Sequence, residues 1–295
     1  MAAPTLAPTP PPTHHATPLS SVGRLWRWLA ALSVAATVYI SYYANTHPFN
    51  GQTMGEVSAK YPTLLTPAGY AFSIWGVIFL GLLLYAGWQL LPAQRELAWP
   101  DAVARPLTLA AAATGAWVVL FAYEQIALSV AVMLVILGSL VLTYGRVRAL
   151  TQAGAAPAWV SIPLALFLGW ILVATVITLT LGLRELTGPV SAALENALAY
   201  ALLAAVVGLG LALSRVFQER TFPLVLAWAL TGIWVARLAA NPALGWTALA
   251  AAVLVLVLGL VLAEQGRKLQ PWQVTQRAAE REVAALASRR DLVGQ

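Results

Sequence analysis

The stretch YPTLLTPAGYAFSIWGVIFLG, Tyr61 to Gly81, passes from a polar segment punctuated by Pro62 and Pro67 into an apolar run. The first turns of that run carry Tyr70, Phe72, Trp75 and Phe79. From Tyr70 to Leu91 the run is long enough for a helix to cross roughly 30 Å of hydrocarbon, which takes about 20 residues. A proline-bearing approach to an aromatic helix of membrane length reads as one wall of a ligand pocket.

Composition supports the membrane reading for the whole chain. Of its 295 residues, 60% are hydrophobic and only 9% are charged, whereas an ordinary soluble domain carries about a quarter charged residues. The expected fold class is all-α and polytopic, with every backbone amide satisfied inside its own span. Eight spans follow: Leu25 to Asn45, Tyr70 to Leu91, Pro106 to Tyr123, Ile126 to Tyr144, Trp159 to Leu183, Asn196 to Ser214, Phe222 to Ala239 and Leu244 to Ala263. Pro106, Pro163 and Pro223 are placed in or near first turns, where a missing amide hydrogen costs little.

Charge sets the expected orientation. With the N-terminus inside, fourteen of the 17 basic residues fall in inner segments, and only Lys60, Arg184 and Arg237 fall outside. Lysine and arginine collect in cytoplasmic loops, so both termini are expected in the cytoplasm. Bilayer topology therefore explains the net charge of +6, and nucleic-acid binding is rejected. The localisation expected is a cell membrane, crossed many times, and the cytoplasmic membrane if the source is a bacterium.

Residues 1–22 are rich in Pro, Thr and Ala and read as a disordered tail. The His14–His15 pair in it has no further metal ligand nearby. Residues 265–295 read as a polar cytoplasmic tail, with a charged helix starting at Pro271. The outer loop Thr46 to Gly69 is long and polar and reads either as a binding loop or lid or as a passive ordered cap. Glu124 and Gln125 leave only a tight hairpin between the third and fourth spans, which makes those helices antiparallel neighbours.

Catalytic chemistry is poorly provided for. Ionisable groups inside a bilayer are expensive and mark function, yet the spans hold almost none. Glu124 and Arg237 sit at outer ends, where interfacial placement explains them. No paired carboxylates, no metal-ligand set and no Ser/His/Asp set appear, and cysteine is absent; the expectation is no enzyme, no metal and no cofactor. The spans offer instead Tyr39, Tyr42 and Tyr43, Thr114, Thr175 and Thr178, and three tryptophans well inside their helices, Trp75, Trp117 and Trp170. Trp26, Trp28, Trp88, Trp99, Trp159, Trp246 and Trp272 fit interfacial belts by position.

These tryptophans carry a resemblance to the tryptophan-rich sensory proteins, the TspO/MBR family related to the mitochondrial translocator protein. TPAGYAFSIWGVIFLG (Thr66 to Gly81) resembles the family's entry into its second helix. TGAWVVLF (Thr114 to Phe121) keeps Trp117 and Phe121 of an Asn-Trp-x-Trp element, with Thr114 and Gly115 replacing Asn and the first Trp. LGWILVATVITLTLG keeps Trp170, Ala174 and Thr175, with Thr178 where Asn is common. The resemblance covers about Leu25 to Leu183, so the division expected is a five-helix unit over residues 23–184 and three further spans over residues 185–264.

By this resemblance the ligand is a hydrophobic planar molecule, with porphyrins, haem and sterols implied. Carried over by position, its pocket is lined by Trp75, Thr114, Trp117, Phe121, Trp170, Ala174 and Thr178. The spans hold no histidine or cysteine for a haem iron, which favours a metal-free porphyrin. A sensor or receptor is the leading reading; a transporter is the alternative, and porphyrin breakdown a third. The Leu142, Tyr144, Arg146 spacing is of the kind proposed for sterol contact, but the family's version lies on the fifth helix, so it is not carried over. Ala111-xxx-Gly115 allows close helix approach, within one subunit or in a homodimer.

Overall fold

The computed structural model describes residues 21–61 and 63–265. The N-terminal tail with its histidine pair, Pro62, and the segment holding Pro271 and Trp272 lie outside the described residues. The described chain is helical throughout, as α1 (Ser21–Thr46), α2 (Met54–Lys60), α3 (Ile74–Leu90), α4 (Trp99–Ala122), α5 (Ile126–Gln152), α6 (Ser161–Thr187), α7 (Ala192–Phe217), α8 (Thr221–Arg237) and α9 (Pro242–Gln265). Eight of these occupy the eight expected positions, and α2 is a short addition within the long loop. Six are long and apolar enough to cross a membrane; α8 is shorter, and α1, with three tyrosines in its second half, is not among the six. The protein is an all-α, multi-pass membrane protein.

Helices α1, α3, α6, α5 and α4 pack in that order into a closed ring, with α4 returning to α1. Small residues set the close approaches. A side chain on Gly81 of α3 would come within 2.8 Å of Pro163 on α6. Gly115 of α4 sits against Thr37 of α1, whose hydroxyl donates to the Ala111 carbonyl at 2.6 Å. The Ala111/Gly115 spacing therefore serves packing within one subunit. Helix α8 packs on α6 outside the ring, and α7 packs on α8. Gly259 of α9 fits against Pro223 of α8 and Ser214 of α7.

The expected start of α4 needs correction. Helix α4 starts at Trp99, with Pro100 in its first turn, so Pro106 lies inside the helix rather than at its start. An internal proline removes the bond to the carbonyl four residues back. That carbonyl, of Ala102, accepts from Arg146 Nη1 at 2.6 Å instead. Arg27, Arg148 and Glu219 are buried in the protein, though not deep within the spans. All three lie at helix ends opposite the long loop, an end termed here the tail end. Arg27 pairs with Asp101 and donates to the carbonyls of Gln94 and Leu97, closing the α3–α4 turn onto α1.

The α7–α8 turn is held in the same way. Gln218 takes a left-handed conformation (φ 52°), which turns the last carbonyls of α7 outward. Arg148 of α5 donates to the carbonyls of Phe217 and Gln218. Its Nη1 lies 3.9 Å from Glu219, whose carboxylate accepts from Tyr144, Ser161 and Thr221. Tyr144 is thus fully buried and turned away from lipid, against the sterol-contact spacing. Trp99 is likewise buried, with its ring 5.6 Å from Trp88 and 6.4 Å from Tyr85, so it is not a belt residue.

Removing one partner of a buried pair leaves an uncompensated charge, which costs about 3–5 kcal/mol. Glu219→Ala is expected to lower stability by about that much, read as a fall in the thermal midpoint of the protein in detergent. Arg220→Ala, which breaks the exposed pair with Glu264, is expected to cost less than about 1 kcal/mol. Equal effects of the two would contradict the role of the buried Arg148–Glu219 pair in holding the α7–α8 turn.

Candidate functional site

The end of the bundle opposite the buried arginines, the loop end, is built around the long loop. Thr53 caps α2 in a reciprocal arrangement: its hydroxyl accepts from the Glu56 amide, and Glu56 accepts from the Thr53 amide at 2.7 Å. This capping box explains a helix in a segment too polar to be read as one. The buried face of α2 is Val57, which packs with Phe121, Ile126 and Leu181, while Met54, Tyr61, Trp117 and Ile177 close over the cluster. Helix α2 thereby covers the loop ends of α4, α5 and α6.

The cover is tied down at two edges. At one, Glu124 accepts from Lys60 Nζ at 2.8 Å and from the Tyr61 hydroxyl at 2.7 Å. Lys60 first, then Tyr61, hold the Glu124 carboxyl below the usual carboxylate range. The same bond to Glu124 holds the Tyr61 hydroxyl above its usual range. At the other edge, the loop is bound to α8. The Ala68 amide donates to the Gly232 carbonyl at 2.9 Å, Trp228 Nε1 donates to the Ala71 carbonyl at 2.9 Å, and Arg237 Nη2 reaches the Thr66 carbonyl at 3.4 Å. Any side chain on Gly232 would meet Pro67 and Ala71 within 3 Å.

Below this cover the expected site residues fall into two aromatic groups. In the first, Phe72 meets Trp170 edge to face at 5.8 Å, and Trp75 stacks on Phe79 at 5.0 Å and meets Phe167 edge to face at 5.8 Å. A single turn of 3-10 helix over Gly69–Ser73 precedes α3 and sets Phe72 toward α6. Trp170 is buried and Trp75 half-buried. In the second, Trp117 stacks on Phe121 at 4.9 Å beneath α2. Thr114, Thr175 and Thr178 are buried, and each donates to a carbonyl of its own helix, that of Thr178 being Ala174. Tyr39, Tyr42 and Tyr43 are exposed on α1; Tyr42 touches the first group through Phe79 at 6.2 Å, whereas Tyr39 and Tyr43 stack on one another.

Two polar groups near the second cluster were not anticipated. The indole Nε1 of Trp117 and the hydroxyl of Ser129 are buried and have no hydrogen-bond partner among the described residues. Nor did the sequence point to Trp228 and Gly232 as the seat of the loop. A Trp four residues before a Gly on α8 was a faint signal, easily absorbed by helix packing.

Because the Glu124 carboxyl is depressed, its contribution to the cover is present above the usual carboxylate range. It is lost as pH falls through the lowered value. The chain has no cysteine, so a spin label at Ser58→Cys reports on α2 alone. The label is expected to be immobile from about pH 5 to 9 and to loosen only below the range of an unperturbed glutamate, near 4.3. Glu124→Gln is expected to loosen it across that whole range; a label equally immobile in that variant would count against the tether.

The ring order, the loop-end cover and the tryptophans of α3, α4 and α6 give the comparisons their context. No curated protein and no solved structure matches the chain. A family model described as TSPO-like protein matches residues 27–261. The match runs through α7 and α8 and into α9, beyond the five helices that carry the resemblance of single motifs. The chain is a member of the TSPO-like protein family.

Proposed function

We propose that this protein is a non-enzymatic membrane sensor or receptor that takes a hydrophobic planar small molecule, a porphyrin or related tetrapyrrole, among the tryptophans of α3, α4 and α6. The observation that carries this reading is the convergence of Phe72, Trp75, Phe79, Phe167 and Trp170 from α3, its entry turn and α6. Flat ligands are held by ring faces, with a few polar groups setting orientation. Ring contacts between side chains can be exchanged for ring contacts to a macrocycle at little net cost.

Trp117, Phe121, Thr114, Ala174 and Thr178 supply the opposite walls. The threonine hydroxyls are engaged with their own helices and offer a ligand only acceptor lone pairs. The buried indole N–H of Trp117 is the donor free for a ligand oxygen or nitrogen. A site of this kind holds a porphyrin through its ring rather than through a bound iron, since the three histidines are His14, His15 and the loop residue His47. Entry is through the loop end, after α2 lifts from Phe121 and Ile126.

Family membership and the charge pattern further support a multi-pass protein with both termini on the cytoplasmic side. Transport is the alternative reading. The buried charges do not favour it, because Arg27, Arg148 and Glu219 are each engaged in closing turns.

Protoporphyrin titrated into the purified protein is expected to quench tryptophan fluorescence saturably. Two lost ring contacts of about 0.5–1.5 kcal/mol each place the combined Trp75→Ala, Trp170→Ala variant about tenfold or more weaker in affinity. Trp28→Ala, an exposed control, should leave the affinity unchanged. Trp117→Phe keeps the ring but removes the donor, and a loss of about 1 kcal/mol is expected. Quenching that is absent, or identical in the double variant, would refute the reading.

A further inference from the structure

Of the five rings gathered from α3, its entry turn and α6, Phe72 is held differently from the rest. Phe79, Phe167 and Trp170 are buried and Trp75 is half-buried, so close packing fixes those rings. Phe72 is 40% exposed and rises from a single turn of 3-10 helix, a form whose hydrogen bonds are poorly aligned. Its edge-to-face contact with Trp170 at 5.8 Å therefore depends on where its backbone is fixed.

The fixing comes from α8, and it converges on the residue before Phe72. The Ala71 side chain is fully buried and rests in the space left by Gly232, where an added side chain would come within 2.9 Å of it. The Ala71 carbonyl accepts from Trp228 Nε1 at 2.9 Å. The Ala68 amide, at the start of the same turn, donates to the Gly232 carbonyl at 2.9 Å. Residues 228 and 232 stand four apart on one face of α8, so a single helix face seats the turn. Tyr70 adds an edge-to-face contact with the Trp228 ring at 5.4 Å. Trp228 is itself exposed at the surface of α8, which places its indole to hold the turn rather than to fill a core.

We propose that Trp228 is a positioning residue for the tryptophan site: through the Ala71 carbonyl it keeps Phe72 edge-on to Trp170, and thereby slows release of the planar ligand. The role rests on the planar ligand proposed for that site. A wall ordered before the ligand arrives lowers the cost of binding, and a wall that swings away from Trp170 lets the ligand go. Trp228 lies beyond the five helices that supply the ligand contacts, so α8 takes part in the site without touching the ligand. The donor is separable from the fold. The Ala71 carbonyl also accepts from the Ile74 amide, so loss of the indole N–H leaves no backbone group without a partner, and a phenylalanine at this position keeps a ring for Tyr70.

The test uses the full chain in nanodiscs, with para-fluorophenylalanine in place of Phe72. Its fluorine signal carries the ring current of Trp170, identified by its displacement in Trp170→Leu. Without ligand, Trp228→Phe is expected to move the signal in the same direction as Trp170→Leu does, whereas Trp28→Phe, an exposed control, leaves it in place. With protoporphyrin bound, recovery of tryptophan fluorescence on dilution should be about threefold or more faster in Trp228→Phe, as befits the loss of one hydrogen bond, with the thermal midpoint unchanged. A merely structural role would lower the midpoint and leave the release rate of the folded protein as it was. A fluorine signal unmoved in Trp228→Phe, or an unchanged release rate beside normal quenching, would overturn this proposal alone. Absence of quenching in the unaltered protein would overturn the ligand reading and the slowed release with it, while the fluorine signal still reports whether Trp228 seats Phe72.

Discussion

In hydrocarbon, a backbone carbonyl or amide that loses its helical partner must find another within the protein. The helix interruptions obey that constraint, and at three places at the tail end an arginine is a substitute donor. Arg146 takes the Ala102 carbonyl released by Pro106. Arg148 takes those of Phe217 and Gln218, and Arg27 those of Gln94 and Leu97. A guanidinium suits this task because its rigid fork of five donors can span two carbonyls while keeping a carboxylate in reach. The arginines that orient a chain in its membrane by charge also close its turns.

The loop end is organised differently. There the connections are carried mainly by backbone pairs and ring contacts, with charged groups at the edges: Lys60 with Glu124 at one, and Arg237 on the Thr66 carbonyl at the other. The contrast assigns stiffness to one end and the capacity to move to the other. A buried pair such as Arg148 with Glu219 costs several kcal/mol to break. An exposed pair such as Lys60 with Glu124 costs little. A ligand that enters past α2 therefore meets the weaker set of bonds, while the ring stays fixed at its far end.

Much of this architecture was legible because period and length dominate in a bilayer. The starts of α6 and α8 were marked by Pro163 and Pro223, and the α4–α5 hairpin by the two residues left between apolar runs. Pro106 misled, because a proline with a helical pattern on both sides marks a start only when no earlier first turn is available, and Pro100 provided one. Glu219 and Asp101 were passed over because carboxylates next to turns read as surface groups. The burial of Glu219 and the pairing of Asp101 depend on partners 58 to 75 residues away in sequence. Helix α2 was hidden for a related reason, since its seven residues carry one buried side chain, Val57. Of the candidate site, the tryptophans were visible as residues, whereas their grouping into an α3–α6 set and an α4 set needed the ring order.

Gly232 gives the chain a property that a count of its helices does not suggest. The absence of a side chain there lets Pro67 and Ala71 rest directly on α8, so the threshold of the aromatic helix is seated on a helix that follows it by about 160 positions in the chain. The loop before α3 is thereby tied to a helix that lies beyond residue 184. During synthesis the first five ring helices would emerge with their entrance unsupported, and the entrance would reach its final shape only once α8 arrived. The three later helices are thus the doorframe of the earlier five, and whatever shifts α8 sideways also shifts the threshold.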